Sequence, residues 1–241
     1  MPAVAGSVSG GLAVSVGYAA IGGASVLAGA VVSARRGLSA KTRSLVQHAA
    51  AGTVLAGLVV DVLAKLLARP HQLAYTAIGM VVGLAAMLAI RAYLPDEPSA
   101  AGGLVVTVAV DVLVDGVLIG LSAALGSGTG LLFAVALAPE MGLLGVTAAQ
   151  ALAQRWSPGR IIATAAAVGA AITAAGALGW VVAHTNAAAV TAVLGVGASV
   201  IIYLILEELL REAHDTDTGP LEVAVLFACF LPFFLAGVAT G

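Results

Sequence analysis

Long apolar runs separated by short polar breaks cover almost the whole chain. A helix needs about 20 apolar residues to cross the hydrocarbon core of a bilayer. Eight segments reach that length, and we predict membrane spans at Val8–Ala34, Ser44–Leu67, Leu73–Tyr93, Gly102–Leu125, Gly128–Gln154, Ile161–Ala183, Ala187–Leu210 and Leu221–Thr240. Between the fourth and fifth spans only the Gly/Ser-rich cluster at 126–130 interrupts the run, which predicts a tight turn. The pattern indicates one transmembrane domain over residues 1–241.

Composition narrows the class of protein. Of the 241 residues 61 % are hydrophobic and 9 % are charged, whereas soluble domains contain about 25 % charged residues. A soluble enzyme is therefore excluded, and a net charge of −2 excludes a nucleic-acid binder, which needs a basic excess. The single cysteine excludes an internal disulfide and a thiolate metal cluster. Because a spanning chain must satisfy its backbone internally, we expect an all-α polytopic membrane protein without enzymatic activity or prosthetic group.

Basic residues predict the orientation, since they are enriched in cytosolic loops. The loops after odd-numbered spans, with the adjacent helix ends, hold eight basic residues. The other face of the membrane holds two, Lys65 and Arg69. The eight are Arg35, Arg36, Lys41, Arg43, Arg91, Arg155, Arg160 and Arg211. We therefore expect both termini outside, in the plasma (inner) membrane.

An even number of spans permits a 3+2+3 plan, in which two triplets of helices are related by inversion around a central pair. Inverted repeats of this kind are common in transporters. A weak echo between residues 66–71 (LLARPH) and 209–214 (LLREAH) fits such a plan.

Several acids lie inside predicted spans, where a carboxylate at a helix centre costs at least ~2.5 kcal/mol. Asp111 and Asp115 are four residues apart in span four, a spacing that places both on one face of a helix. Glu140 follows Pro139 near the middle of span five. Asp115 and Glu140 are each about ten residues, or roughly 15 Å, from the connecting turn. We therefore predict that the three carboxylates meet near the bilayer midplane.

Such a cluster needs neutralisation, because like charges repel strongly in a low dielectric. Protons or a bound cation can supply it, and the predicted spans four to six contain no Lys or Arg. Pro139 frees a backbone carbonyl near Val135. Gly116 and Gly120 permit close approach of a neighbouring helix. Protonated acids that merely hydrogen-bond a neighbouring helix are the structural alternative.

Further polar residues suggest a cation pathway on either side of this cluster. Asp61 lies in the outer half of span two, although Lys65 at i+4 offers it an ordinary ion pair. The cytosolic end of span seven, and the loop after it, supply Glu207, Glu208, Glu212 and His214. A solvated helix end is the alternative explanation for these residues.

Two of these stretches resemble motifs of the ZIP (Zrt/Irt-like) metal transporters. Residues 111–120 (DVLVDGVLIG) are similar to the family pattern on helix four, and residues 136–142 (ALAPEMG) to the pattern on helix five. The acidic run at 207–214 and the segment 48–52 with Asp61 are similar to family features of helices seven and two. The resemblance implies eight spans, outside termini and transport of divalent metal ions into the cytoplasm.

Carried over residue by residue, the resemblance assigns the first metal site to Asp111, Asp115, Ala136 and Glu140. Three of these four can ligate a metal. The second site would use Val112 and Leu137, which cannot ligate through their side chains, and an acid on helix six that this sequence lacks. A single-cation site is therefore the better expectation.

The expected cargo is a divalent cation: zinc by family default, or Mn²⁺, Fe²⁺ or Mg²⁺, since an all-oxygen ligand set suits harder ions. Two rival functions use the same carboxylates differently. One is a proton-coupled transporter of another solute, and the other is a non-transporting ZIP-like sensor or scaffold. Besides the metal ion, the expected partners are the lipid bilayer and a second copy in a homodimer, with no nucleic acid.

Overall fold

The computed structural model describes residues 3–35, 39–93, 101–153, 155–211 and 219–240. Every regular element in these residues is helical, and the chain folds as eight long helices. They are α1 (Ala3–Arg35), α2 (Ala40–Leu67), α3 (Leu73–Tyr93), α4 (Ala101–Leu125), α5 (Ser127–Ala153), α6 (Pro158–Ala183), α7 (Ala187–Tyr203, continued by Leu204–Leu209) and α8 (Pro220–Thr240). The predicted all-α architecture is confirmed.

Local sequence explains where several helices begin. The Ser39 side chain accepts a hydrogen bond from the Thr42 N–H at 3.1 Å, and Asn186 caps α7 by accepting from the Ala189 N–H at 2.8 Å. Such caps satisfy N–H groups that have no partner within the helix. Pro158 starts α6 earlier than we predicted, so Arg160 lies in the first turn of α6, where its guanidinium stacks over the ring of Trp156.

The turn between α4 and α5 is shorter than the sequence predicts. Only Gly126 is non-helical, and the rest of the cluster at 126–130 forms the first turn of α5. Gly130 explains the difference, because a Cβ there would lie 2.6 Å from the backbone of Ala123 on α4. The missing side chain lets α5 fold back directly along α4. We call this end of the molecule the turn end and the opposite end the far end.

Four helices, α1, α4, α5 and α6, form a central bundle in which α1 packs on the other three and α4 packs on α5 and α6. Glycines bring the backbones together. A Cβ on Gly120 of α4 would collide with the backbone of Gly176 on α6, and one on Gly145 of α5 with the carbonyl of Val26 on α1. Small residues at crossing points are the usual device for close helix packing in lipid.

The other four helices pack in two pairs beside this bundle, α2 with α8 and α3 with α7. Helices α3 and α8 are peripheral: 17 % and 6 % of their most apolar stretches are buried, against 61 % for α2 and α7. Their exposed residues are mainly apolar, including Val81, Leu88, Phe227 and Leu231. Such surfaces suit contact with lipid.

Seven of the helices are long and apolar enough, within the described residues, to cross a membrane. They are α1, α2, α3, α5, α6, α7 and α8. The chain is thus a multi-pass membrane protein.

Helices α2 and α7 each contain a π-helical segment that the sequence analysis did not predict. These are Leu58–Leu63 in α2 and Leu204–Leu209 in α7. A π segment accommodates one extra residue in a helix and often occurs at functional sites. Each of the two carries an acid in its fourth position, Asp61 and Glu207.

Candidate functional site

The three acids predicted to meet do so. One carboxylate oxygen from each of Asp111, Asp115 and Glu140 lies within 4.8 Å of the others. All three residues are buried, with exposed fractions of 4 %, 0 % and 3 %. Within the described residues this triad is the one group of three or more potential ligand residues that could surround a single ion. We refer to these three residues as the triad.

Helix α4 supplies two members of the triad because Asp111 and Asp115 follow the four-residue helical spacing. Another side of α4 is fixed against α6. A Cβ on Gly116 would lie 2.6 Å from the carbonyl oxygen of Ile172, so only glycine permits this approach. Ser15 of α1 also donates a hydrogen bond to the Gly120 carbonyl at 2.9 Å. The backbone that carries the two aspartates is therefore held by two neighbouring helices.

Helix α5 supplies Glu140 and stays helical through Pro139. Proline has no N–H, so the Val135 carbonyl one turn earlier receives no helical hydrogen bond from it. The predicted freed carbonyl thus falls in the turn before Glu140. Leu137 and Met141 are fully buried and fix this part of α5 in the core.

The electrostatics of the triad are unfavourable while all three groups are ionised. Two unit charges 4.8 Å apart repel by about 3 kcal/mol at an effective dielectric constant of about 20. Three such pairs, on top of the loss of hydration, make a fully charged and empty cluster costly. A proton or a cation between the carboxylates removes this cost, and a divalent cation neutralises two charges at once.

Asp61 is not part of the triad and lies nearer the turn end, where it contacts other residues. Its buried carboxylate forms an ion pair with Lys65 one turn later on α2 and accepts a hydrogen bond from the Ser122 hydroxyl of α4. The Lys65 ammonium also reaches the Thr129 hydroxyl of α5 at 3.3 Å. We call these four residues the Asp61 cluster. The alternative that the sequence left open, pairing with Lys65, is what the structure has.

Helix geometry gives the position of this cluster relative to the triad. Ser122 lies seven residues beyond Asp115, which is about 10 Å along the axis of α4. The Asp61 cluster therefore lies about 10 Å from the triad toward the turn end.

Glu207 lies on the other side of the triad. Gly197 of α7 contacts the Leu118 side chain of α4, and Glu207 lies ten residues further along α7, or about 15 Å toward the far end. That is about 10 Å beyond the level of Asp115. Its carboxylate accepts a hydrogen bond from Arg91 of α3 at 2.5 Å, and both side chains are more than 40 % exposed.

The remaining predicted pathway residues are outside the description. Glu212 and His214 fall in residues 212–218, and for Glu208 only the backbone is described. Their predicted role is therefore neither supported nor contradicted. The positions that the family resemblance assigned to further ligands, Val112, Ala136 and Leu137, are buried apolar residues.

The sequence analysis missed Ser122 and Thr129. A signal for Ser122 was present, because seven residues complete almost two helical turns and place it on the same face of α4 as Asp115. The spacing along α4 does not indicate which helix packs against this face. Only the folded chain shows that this face meets Asp61 of α2.

No model of a known protein family matches the chain, and no curated protein matches it. The geometry of the triad and of the Asp61 cluster is therefore the basis for assigning a function.

Proposed function

We propose that the chain is a ZIP-like membrane transporter that moves divalent metal cations into the cytoplasm by alternating access. The observation that carries this proposal is the triad: three buried acids on two adjoining helices, with carboxylate oxygens within 4.8 Å of one another. Two adjoining helices would not hold three acids together in lipid at such cost unless the charge had a use. A visiting cation gives it one.

The ligand chemistry bears on the cargo. All three triad ligands are carboxylates, and hard oxygen ligands suit Mn²⁺, Mg²⁺ and Fe²⁺, whereas imidazole suits Zn²⁺ and its neighbours. Asp111 stands where the resembling family has histidine. We therefore propose a single-cation site that takes zinc or a harder divalent ion, with Mn²⁺ as the most informative probe.

The pathway has one acid on each side of the triad. Asp61 lies about 10 Å toward the turn end and Glu207 about 10 Å toward the far end, by the rise of an α-helix. The distribution of Lys and Arg along the chain supports an orientation in the plasma (inner) membrane with the turn end and both termini outside and the far end in the cytosol. A cation would pass Asp61, the triad and then Glu207.

The packing supports alternating access and the 3+2+3 plan. In this plan α1–α3 would be related to α6–α8, and α5 to α4. The contact of α1 with α5 then corresponds to that of α6 with α4, and the contact of α2 with α8 to that of α7 with α3. All four pairs of helices are in close contact. The two π segments also correspond, 146 residues apart. The echo between 66–71 and 209–214 has a spacing of 143 residues and is therefore three residues out of this register. In this scheme the bundle with the triad moves against the paired outer helices.

The test is uptake into proteoliposomes from a panel of divalent ions. We expect wild-type chain to take up Mn²⁺, Zn²⁺ or Fe²⁺, and the double variant Asp115→Asn/Glu140→Gln to lose uptake by at least about 100-fold, because even supporting groups around metal ligands are worth 10–100-fold. The substitutions keep the size of each side chain and remove its charge.

The matched control is Glu222→Gln on α8, a buried acid at the far end whose carboxylate accepts from the Gly219 N–H at 2.8 Å. The amide oxygen can accept the same bond, so uptake should be retained. Metal uptake that survives the double variant would overturn the proposal. Proton flux that needs the triad, without metal uptake, would instead favour a proton-coupled transporter of another solute.

A further inference from the structure

The Asp61 cluster contains a cation that belongs to the chain. The Asp61 carboxylate is fully buried, and its counter-charge is the ammonium of Lys65. Two hydroxyl groups from other helices contact this pair: Ser122 donates to the second carboxylate oxygen, and Thr129 lies 3.3 Å from the ammonium. Three helices, α2, α4 and α5, thus meet around this ion pair.

The side-chain groups that hydrogen-bond this ion pair are oxygens that could equally coordinate a metal ion, and the Arg69 guanidinium, one turn further along, donates to the Lys65 carbonyl at 2.6 Å. Carboxylate and hydroxyl oxygens are the ligands of hard cations. An ammonium on a four-carbon chain is a mobile substitute, because lysine is flexible and its head group is a compact point charge. The Lys65 side chain retains 14 % exposure, and it is two residues from the end of α2 at Leu67, so it has room to move toward the turn end.

We infer that Asp61, Ser122 and Thr129 form a second cation site, which the Lys65 ammonium occupies as a tethered plug and a divalent metal ion takes when the lysine withdraws. The inference rests on the proposed function for its direction, since Asp61 would then be the first carboxylate that an ion meets from outside. The plug joins α2 to the α4–α5 hairpin in the absence of metal. Arrival of an ion exchanges one positive partner of Asp61 for another, so the carboxylate is never left buried without one.

The first test removes the plug in a chain whose triad is neutral (Asp111→Asn/Asp115→Asn/Glu140→Gln). Mn²⁺ is titrated into the millimolar range, where sites with few charged ligands bind, and free Mn²⁺ is measured by electron paramagnetic resonance. We expect the chain with Lys65→Met to bind one Mn²⁺. The same triad-neutral chain with Lys65 in place should bind Mn²⁺ only weakly. Adding Asp61→Asn to the Lys65→Met chain should abolish the binding. Equal binding with and without Lys65, or binding that persists with Asp61→Asn, would overturn the inference.

The second test leaves Lys65 in place, so it remains decisive if the methionine variant does not fold. The chain has two lysines, Lys41 and Lys65, and mass spectrometry can follow amine acetylation at each. In the triad-neutral chain, Mn²⁺ should increase the acetylation rate of Lys65 several-fold and leave that of Lys41 unchanged. An unchanged rate at Lys65 would show that the ammonium is a fixed structural partner.

Because both tests use a chain without the central carboxylates, their result is independent of uptake. Loss of the proposed transport function would appear as absent uptake by wild-type chain. Failure of the inferred second cation site would appear as absent Mn²⁺ binding at Asp61. The two failures are therefore distinguishable.

Discussion

The triad and the Asp61 cluster show two ways of keeping acids inside an apolar helical protein. In the Asp61 cluster the counter-charge comes from the same helix, one turn away at Lys65, with hydroxyl groups from α4 and α5 around it. In the triad three carboxylates lie within 4.8 Å of one another, on helices that contain no lysine or arginine. The first arrangement is neutral as folded, whereas the second gains from a proton or an added cation.

This difference separates the energetic roles of the two regions. A buried ion pair stabilises the fold only while both partners are present, because removing one leaves a buried charge. A cluster of like charges destabilises the fold while its members are ionised, and a proton or a cation would relieve this repulsion. We therefore expect the Asp61 cluster to control stability without metal and the triad to control the response of stability to metal.

The largest effect should come from splitting the ion pair. Lys65→Met or Asp61→Asn alone should lower the free energy of unfolding in detergent by about 3–5 kcal/mol, the usual cost of leaving one partner of a buried pair. The combined variant Asp61→Asn/Lys65→Met should recover most of this loss. Denaturant unfolding of the four chains measures it, and additive losses in the double variant would show that the two charges do not interact.

A smaller effect should appear on adding metal to the wild-type chain. A ligand at 100 times its Kd stabilises the folded state by about 2.7 kcal/mol, so Mn²⁺ should raise the melting temperature and EDTA should reverse the rise. Glu140→Gln should melt at a higher temperature than wild type without metal, because a repelling charge is gone, and should lose the response. Unchanged metal dependence in Glu140→Gln would place the ion elsewhere.

The next effect concerns the backbone that carries the two aspartates. Gly120→Ala should destabilise the chain by about 1–3 kcal/mol, the range for overpacking a close contact, because the added Cβ meets the backbone of Gly176 on α6. Gly17→Ala on α1 is the control, since nothing lies within 4 Å of its Cβ position. Melting temperatures compare the two, and equal values would show that α4 can move away from α6 freely.

The smallest effect should come from the pair of Arg91 and Glu207, whose side chains are 44 % and 43 % exposed. Exposed pairs contribute little because water and salt screen them. Arg91→Gln should therefore leave the melting temperature nearly unchanged and insensitive to salt. A loss as large as that from Lys65→Met would mean that exposure does not distinguish the two ion pairs.

The sequence predicted the local part of this structure well. Helix positions followed from apolar runs, and the triad followed from a four-residue spacing on α4 and from similar distances of Asp115 and Glu140 to the turn. These are properties of single helices and of one short connection. Gly116 and Gly120 also marked a close contact correctly, although they did not identify α6 as the partner.

What could not be predicted depends on contacts between distant helices. The hydrogen bond from Ser122 to Asp61 joins residues 61 positions apart, and no local pattern indicates which helices become neighbours. The division into a central bundle and two outer pairs is of the same kind. The π segments depend on a fit of α2 and α7 to their surroundings, since nothing in LVVDVL or LILEEL differs from ordinary helical sequence.

The π segment of α2 has a consequence for how this helix tolerates changes in length. Such a segment is an α-helix with one surplus residue, so loss of a single residue from Leu58–Leu63 would restore a regular helix instead of breaking one. Because the wider turn absorbs the surplus residue, the parts of α2 on either side of the deletion would keep nearly their present orientation, and only residues within the segment would shift. Shortening the chain by one position would thus redirect Asp61 without unwinding the helix that carries it.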